Sequence, residues 1–395
     1  DFETVGIASY QHIFSDHLLA DLRYMMRSDT VALDSNPQST PILAFQDRGF
    51  REQYLKGTVS YHRGRHELKG GFEGDFSHLR ESFSDVITDP TQFDPGTPAS
   101  FQFSGRRLDL EQSAFVQDLI RLGAWTVSGG LRWDHYQLLL NQNAVSPRLS
   151  AARYFKSANV LVHASYDRVF QTPAFENILL SSSPQVTSLN PDVLRLPVKP
   201  SQGNYYEFGA SKVFADTLKF DLNVFRRALD NYADDDLLLN TAVSFPISLR
   251  RASIYGAEGK LELPEWQGLS GFLSYSYIVG TVYLPVTGGL FLGSDATNVL
   301  SQTNGRFWDS QDQRNTLHGR MRYQLINRAW IALGGHYGSG LPTEVSNTPQ
   351  EVQSAVSQYG QAVVDRVDFV RGRVKPSLAV DVSAGADLWK HDRTV

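Results

Sequence analysis

Residues 204–227 read NYYEFGASKVFADTLKFDLNVFRR, a pattern that is repeated along the rest of the chain. After a short turn at Ala215 and Asp216, apolar residues fill every second position from Leu218 to Val224, and polar residues fill the positions between them. A period of two predicts β-strands, so the stretch is interpreted as a β-hairpin. One side is charged and the other is continuously apolar, which is typical of strands between lipid and a wet interior. The stretch therefore predicts a transmembrane β-barrel.

Similar strands recur through residues 1–395, joined by alternating short and long connections, and we count about fifteen strands plus the start of another at 393–395. Short turns are predicted near residues 14–17, 63–65, 123–124, 156–157, 215–216, 264–268 and 327–328. Long loops are predicted over 27–50, over about 25 residues containing TDPTQFDPGTP, and over 171–203, 230–250, 283–310 and 341–375. No linker divides the chain, which is interpreted as one all-β antiparallel barrel portion with short periplasmic turns and long extracellular loops.

Composition excludes several classes of protein. The mean hydropathy is −0.29, and no run approaches the roughly 18 apolar residues of a membrane-spanning helix. The net charge of −5 argues against a nucleic-acid partner held through phosphate contacts. The absence of cysteine excludes disulfides, thiolate metal sites and cysteine nucleophiles. Because Asp1 opens directly on a strand and Val395 follows a turn, we expect both ends to lie inside a longer native chain.

Four of the six tryptophans lie at or beside predicted short turns, namely Trp125, Trp266, Trp330 and Trp389. Amphipathic aromatic rings concentrate where a membrane meets water. These four residues are therefore predicted to form an aromatic girdle at the rim of the short turns. The alternative explanation is that aromatic residues favour strands generally.

The candidates for substrate contact are strand residues with charged side chains, namely Arg168, Arg226, Arg227, Arg320 and Arg322, together with Asp167. A guanidinium group that points into a barrel can bind an anionic group through two parallel hydrogen bonds. The alternative is that these arginines anchor the rims or contact lipopolysaccharide, and the sequence leaves both interpretations open. Arg226 and Arg227 must point to opposite faces because they are adjacent on one strand. Asp167, Arg168 and Arg227 are the predicted substrate-binding residues.

The sequence contains no recognisable catalytic or metal-binding pattern. The ten histidines are scattered, and His163, His318 and His336 are interpreted as residues of the barrel wall or rim. Residues 230–236 read DNYADDD and could hold calcium through clustered oxygens, but they lack EF-hand spacing and are interpreted as a solvated acidic loop. No catalytic residue, metal site or cofactor is predicted, and the chain is not expected to be an enzyme.

Short signatures follow one another in order over about residues 66–390. They are FVQD at 115–118, GLRWD at 130–134, SPRL at 146–149, SYDRVFQTP at 165–173, YEFG at 206–209, YGAE at 255–258, SYSY at 274–277, DQR at 312–314 and SGLP at 339–342. In these segments the chain resembles the barrel of TonB-dependent outer-membrane receptors of Gram-negative bacteria, especially their oar-like or carboxypeptidase-regulatory-like group.

The resemblance implies a barrel of about 22 strands, an N-terminal plug inside it and a TonB box before the plug. It places the plug and about five strands before Asp1, and about two strands after Val395. It implies active uptake of a scarce solute, such as a siderophore, cobalamin, oligosaccharide or peptide, across the cell outer membrane. The implied partners are the TonB complex, outer-membrane lipid and lipopolysaccharide.

Three rival interpretations remain open at this point. A passive porin-like or adhesin-like barrel would have no plug. A barrel enzyme would carry a catalytic pair at one rim. A soluble all-β protein would pack its alternating apolar faces against each other.

Overall fold

The computed structural model describes residues 1–93, 95–188, 197–238, 241–289, 305–343 and 348–387. Its strands are β1 (Phe2–Ser15), β2 (Leu18–Asp34), β3 (Ile42–Arg63), β4 (His66–Ile87), β5 (Ser100–Leu122), β6 (Trp125–Gln137), β7 (Asn141–Phe155), β8 (Val160–Gln171), β9 (Ser201–Phe214), β10 (Leu218–Leu237), β11 (Ser244–Trp266), β12 (Leu269–Gly288), β13 (Arg306–Trp308), β14 (Asn315–Ile326), β15 (Ala329–Gly338), β16 (Val367–Asp368), β17 (Arg373–Val374) and β18 (Ser377–Ala386). The described helices are α1 (Ile178–Ser181), α2 (Pro349–Tyr359) and α3 (Gln361–Val364), with 3-10 turns at Pro90–Gln92 and Pro184–Ser188.

One antiparallel sheet contains nearly all of these strands. Each strand from β1 to β12 pairs with the next along the chain, and the path continues through β14, β15 and β18, with β13 paired to β12. The hairpin at 204–227 forms as predicted, with Phe214 opposite Leu218 across its turn. The prediction of an antiparallel all-β barrel portion is confirmed, whereas the predicted strand at 393–395 lies outside the described residues.

The outward face of the sheet carries exposed apolar side chains in rows that cross the strands. In one such row Leu22 of β2 is the register partner of Gly57 of β3, and Gly57 is the register partner of Phe72 of β4, so the three residues lie side by side. This apolar belt includes Leu22, Tyr24, Met26, Leu55, Val59, Phe72, Phe76, Val116, Leu131, Trp133, Leu149, Tyr206, Phe208, Val224, Tyr255, Leu273, Met321 and Leu333, all more than one-third exposed. A face of this kind matches the lipid-facing surface of a barrel.

The opposite face of the sheet is concave. Phe83 on β4 and Phe245 on β11 belong to strands seven positions apart in the sheet, yet their ring centroids are 6.3 Å apart. Such a contact requires the sheet to curl back on itself. The buried apolar core lies on this concave face at the end away from the tight turns, and it includes Ile42, Phe83 and Leu249.

The strands extend further from the tight turns than the sequence predicts. β4 has 22 residues, whereas a tilted strand needs about ten to cross a membrane. The predicted loops at 27–50 and 230–250 are therefore partly wrong, because β2 continues to Asp34 and β10 to Leu237. Beyond the apolar belt, β4 and β10 carry mostly polar side chains and their period-two signal fades, but the backbone hydrogen bonds between strands continue.

The acidic residues 230–236 lie within β10 and not in a loop. Successive side chains of a strand point to opposite faces, so these carboxylates do not converge on one point. Asp230 instead faces Arg251 of the next strand, with its Oδ1 3.6 Å from the Arg251 Nε. The interpretation of this stretch as a solvated acidic loop is corrected accordingly.

Among the helices in the described ranges, none is both long enough and apolar enough to cross a membrane.

The turn between β9 and β10 contains a residue with a strained backbone conformation, and a substitution there can relieve the strain. Ala215 and Asp216 have φ angles of 47° and 55°, in the left-handed region that alanine disfavours and asparagine tolerates. Ala215→Asn should stabilise the barrel by about 0.5–1 kcal/mol, and Ala215→Val should destabilise it by about 1 kcal/mol or more. The temperature at which the folded band disappears on an unheated gel measures both. A lower temperature for Ala215→Asn than for wild type would contradict the strain.

Candidate functional site

The concave face is crossed, at its end away from the tight turns, by residues 173–188, which we name the mouth segment. Its short helix α1 is completely buried, and Ile178 and Leu180 have no exposed surface. The segment follows β8 in the chain but packs against β4, β5 and β11. Nearby core residues such as Phe101 and Phe103 alternate with polar residues in a stretch that the sequence analysis assigns to a loop. This alternation could have indicated that the stretch is a strand with one buried face.

Polar anchors fix the mouth segment on both sides. The Glu81 carboxylate accepts hydrogen bonds from the backbone N–H groups of Leu179 and Leu180, at 3.1 and 2.9 Å. The Asn177 side-chain amide donates to Gln46 Oε1 at 3.1 Å and to the Ser244 carbonyl oxygen at 2.7 Å. These bonds connect β3, β4 and β11 through one short stretch of chain.

An ion pair and an aromatic contact join the start of the mouth segment to β3. Arg48 Nη2 lies 2.6 Å from Glu176 Oε1. The rings of Phe50 and Phe175 meet edge to face with centroids 5.5 Å apart. Sequence reasoning missed all these anchors because the residues of the segment fall in a predicted loop and their partners are far away in the chain.

Charged side chains cover the concave wall closer to the tight turns. Arg132 on β6 donates from Nε to Asp134 at 2.7 Å and from Nη2 to Glu73 at 2.9 Å, and Lys56 also pairs with Glu73. Asp109, with no exposed surface, lies on the same wall. The wall is therefore polar, is ion-paired around Arg132, and is able to face water or a polar occupant.

Two of the three predicted substrate-binding residues lie together on the concave face. Asp167 on β8 is opposite Tyr205 on β9, which is opposite Arg227 on β10. The Arg227 guanidinium lies 5.3 Å from the centre of the Tyr205 ring, a cation–π distance. The Arg148 guanidinium approaches Asp167 at 3.9 Å.

Arg168, the third predicted residue, lies on the outward face with Arg226. Arg168 is opposite Asn204 and donates from Nη2 to Gln202 Oε1 at 3.3 Å. Arg226 is opposite the exposed residues Tyr206 and Tyr255. Adjacent strand residues point to opposite faces, as predicted for Arg226 and Arg227.

The four tryptophans predicted to form a girdle do not share one environment. Trp125 is exposed on the outward face, where the Arg153 guanidinium lies 5.1 Å from its ring centre. Trp266 is 54% exposed beside its turn. Trp330 instead faces Gly385 and the Arg322 guanidinium, which places it on the concave side together with Arg320. Trp389 lies outside the described residues.

The three strand histidines are wall residues in the structure. His163 Nε2 lies 3.2 Å from Glu207 Oε1. His318 and His336 face each other across β14 and β15 with ring centroids 5.8 Å apart. Within the ranges that the structure describes, no three histidine or carboxylate side chains come together as a metal site.

Glu81 makes the docking of the mouth segment dependent on pH. It lies on β4 five residues beyond Phe76 of the apolar belt, outside the membrane-spanning part, and burial raises the pKa of its carboxyl from 4.5 to about 7. A carboxyl whose pKa is raised on docking binds its proton more tightly in the docked state. Docking should therefore weaken as the pH rises from 4.5 to about 7 and change little above that.

Hydrogen exchange of peptides from the mouth segment measures this effect, after correction for the intrinsic exchange rate. Between about pH 5 and about pH 7.5, protection should fall at least about tenfold in the wild type and stay nearly constant in Glu81→Gln. An equal pH dependence in both proteins would show that Glu81 is not the responsible group.

Comparison with known proteins identifies a family whose model matches this chain. The family model described as "TonB dependent receptor-like, beta-barrel" matches residues 2–389. Among proteins with curated descriptions, none matches the chain. The oar-like subgroup stays a prediction.

Solved structures similar to this chain include the copper transporter OprC, with 11% identity and a TM-score of 0.69 over 98% of this chain and 57% of that chain. The ferric citrate transporter FecA has 14% identity and a TM-score of 0.65 over 98% and 54%. The ferric yersiniabactin uptake receptor FyuA from Yersinia pestis has 11% identity and a TM-score of 0.63 over 97% and 53%. At such identities the likeness concerns the fold alone.

The chain thus spans little more than half the length of these similar structures while matching them over almost all of its own residues. Their likeness in fold and the antiparallel sheet of this chain agree with the β-barrel that the family model describes. Because that model covers residues 2–389, the chain belongs to the family of TonB-dependent receptor-like β-barrels.

Proposed function

We propose that this chain is the barrel portion of a Gram-negative outer-membrane receptor that takes up a scarce solute by TonB-dependent active transport. The observation that carries the proposal is the family match over residues 2–389. The partners are the TonB complex, reached through a plug and TonB box in the full-length protein, and the lipid of the outer membrane. Nothing in the proposed mechanism requires catalysis.

The mouth segment supports regulated uptake over passive flow. It buries Ile178 and Leu180, donates two backbone N–H groups to the Glu81 carboxylate and donates the Asn177 amide to the Ser244 carbonyl oxygen, so ordered chain covers this end of the concave face. A passive porin-like barrel keeps a water-filled channel open through its lumen. An uptake receptor, in contrast, uses its outer segments to hold a solute and its interior to release it.

The concave row on β8, β9 and β10 is the proposed contact surface for the solute. Arg227 offers a cation beside the Tyr205 ring, and Asp167 offers a carboxylate in the same row. Arg227 and Tyr205 suit an oxygen-rich anionic solute with an apolar or ring-shaped part, and the Asp167 carboxylate can accept hydrogen bonds from hydroxyl groups of the same solute. Two of the similar structures are a ferric citrate transporter and a ferric yersiniabactin uptake receptor, and we include these two ferric complexes among the candidate solutes, whereas the copper cation does not suit this row.

Uptake by the full-length protein in a Gram-negative host tests the mechanism. Accumulation of a labelled candidate solute should disappear when the host lacks TonB and when a protonophore collapses the proton-motive force. Accumulation that continues in the host without TonB would identify a passive barrel. Conversion of the solute by purified protein would identify an enzyme.

The concave and outward faces of the barrel wall each offer an arginine, and the two arginines provide a matched pair of variants. Arg227→Gln should weaken solute binding by about tenfold or more, because a hydrogen bond to a charged group contributes about 1.5–3 kcal/mol. Arg168→Gln removes a guanidinium from the outward face of β8, the opposite side of the same wall, and should leave solute binding unchanged. Titration of the purified receptor with the solute measures both dissociation constants. Equal losses in the two variants would refute the assignment of binding to the concave face.

A further inference from the structure

Two histidines lie directly opposite each other on the concave face of the sheet. His318 of β14 is the register partner of His336 of β15, and we name the two residues the histidine pair. His318 is three residues from Met321, and His336 is three residues from Leu333, both in the apolar belt. Because successive side chains of a strand point to opposite faces, both imidazoles point away from lipid. Both are exposed to the interior.

The two rings are placed so that one metal ion can bind both. Their centroids are 5.8 Å apart and their planes are inclined at 73°. An imidazole nitrogen bound at about 2.0–2.1 Å puts its ring centre about 3.2 Å from the ion, so two rings on one ion have centres about 4.5–6.4 Å apart. The Phe272 ring of β12 meets the His318 ring edge to face at 5.3 Å and supports it in this position.

The nitrogens of the histidine pair are free to bind a ligand. In the ranges that the structure describes, they have no hydrogen-bond or ion-pair partner. Two other strand histidines do have such partners, since His163 lies 3.2 Å from Glu207 and His66 lies 2.6 Å from Asp118. A neutral imidazole has one nitrogen that accepts a hydrogen bond or binds a metal. The pair therefore offers two nitrogen ligands that the sheet itself does not use.

The wall around the histidine pair leaves room for an ion and its water ligands. The register neighbours of the pair on the two flanking strands are Ser274 of β12 and Ala379 of β18, and both are small. The preceding concave position on β15 is Gly334, which has no side chain. Bulky side chains therefore do not fill the space in front of the two rings on these three sides.

The charges in the register around the pair are balanced. In the adjacent row toward the tight turns, Arg320 and Asp381 are the register partners of Gly334 on its two sides. Lys260 of β11 lies in the row of the pair, and its Nζ is 2.6 Å from Glu262 Oε2. A cation bound to the pair therefore meets no unbalanced positive charge in these two rows.

We propose that the histidine pair binds a late first-row divalent metal ion, with Cu²⁺ bound more tightly than Ni²⁺ or Zn²⁺. Imidazole suits these ions, whereas Mg²⁺ and Ca²⁺ prefer oxygen ligands. Two protein ligands leave positions on the ion for water or for donor atoms of a solute. The site lies on β14 and β15, apart from the proposed solute contacts on β8, β9 and β10, and the inference does not depend on TonB-dependent uptake.

Titration of the purified full-length receptor with Cu²⁺ alone tests the inference. The protein carries no histidine tag, because a tag would bind the metal. His318→Gln and His336→Gln should each weaken binding at this site at least about tenfold, and the double variant should bind one Cu²⁺ fewer than wild type. His163→Gln is the matched control, because His163 is also a concave residue but its imidazole contacts Glu207. The control should bind Cu²⁺ as wild type does.

Electron paramagnetic resonance of the bound Cu²⁺ identifies its ligands directly. With less than one equivalent of metal, the wild type should show coupling to two imidazole nitrogens, and this two-nitrogen signal should be lost in either single variant. Millimolar Ca²⁺ should not displace the Cu²⁺. Equal binding by wild type and the double variant, an equal loss in His163→Gln, a signal without nitrogen coupling, or displacement by Ca²⁺ would each overturn the inference.

Folding and uptake are checked in the same variants. Each variant should migrate as a folded band on an unheated gel, and His318→Asn or His336→Asn replaces a glutamine variant that does not. A receptor that takes up solute through TonB but binds Cu²⁺ equally in wild type and the double variant would overturn this inference alone. A receptor with the two-histidine Cu²⁺ site whose uptake continues without TonB would overturn the proposed function alone.

Discussion

Lipid offers no hydrogen-bond partner to the peptide backbone, so each amide and carbonyl group of a membrane-crossing strand must bond to a neighbouring strand. This constraint explains why the chain forms one continuous antiparallel sheet in which sequence neighbours are almost always spatial neighbours. It also explains the alternation along each strand. Once the backbone is committed to the sheet, side chains have only two faces available, and one of them must be apolar.

The two faces of the sheet consequently have different roles. The outward face needs little specificity, and residues such as Leu22, Phe72 and Met321 share only size and hydrophobicity. The concave face carries the chemistry, from the Arg132 ion pairs on β6 to the row that joins Asp167, Tyr205 and Arg227. Where the mouth segment covers this face, a polar group such as Glu81 is removed from water and needs dedicated partners.

The sequence was sufficient to predict the strands inside the apolar belt and most of the tight turns. It was not sufficient to predict where β4 or β10 ends, because beyond the belt both faces meet polar surroundings or protein and the period of two loses contrast. Assigning a side chain to the outward or the concave face of the sheet required the register of the paired strands. Trp330 illustrates this, since its place beside a turn was correctly identified while its side, facing Arg322, was not available from composition or spacing.

The candidate site was only partly accessible to sequence reasoning for a related reason. Asp167 and Arg227 were found as charged strand residues, but their common row depends on the pairing of β8 with β9 and of β9 with β10. The anchors of the mouth segment had no local signal at all. Gln46 and Glu81 are ordinary polar residues of predicted loop or strand ends until the sheet curls and brings them to Asn177 and Leu179.

The anchoring of the mouth segment also affects the order in which the protein assembles. Asn177 is 131 residues from Gln46 and 67 residues from Ser244, and Leu179 is 98 residues from Glu81. Contacts of such long sequence separation form only after the intervening chain has been ordered, because loop closure costs entropy before the contact can repay it. Hairpins such as β9–β10 can form locally and early. The mouth segment can therefore reach these anchors only after β3, β4 and β11 have reached their places, so its docking reports that this part of the barrel wall has been correctly assembled.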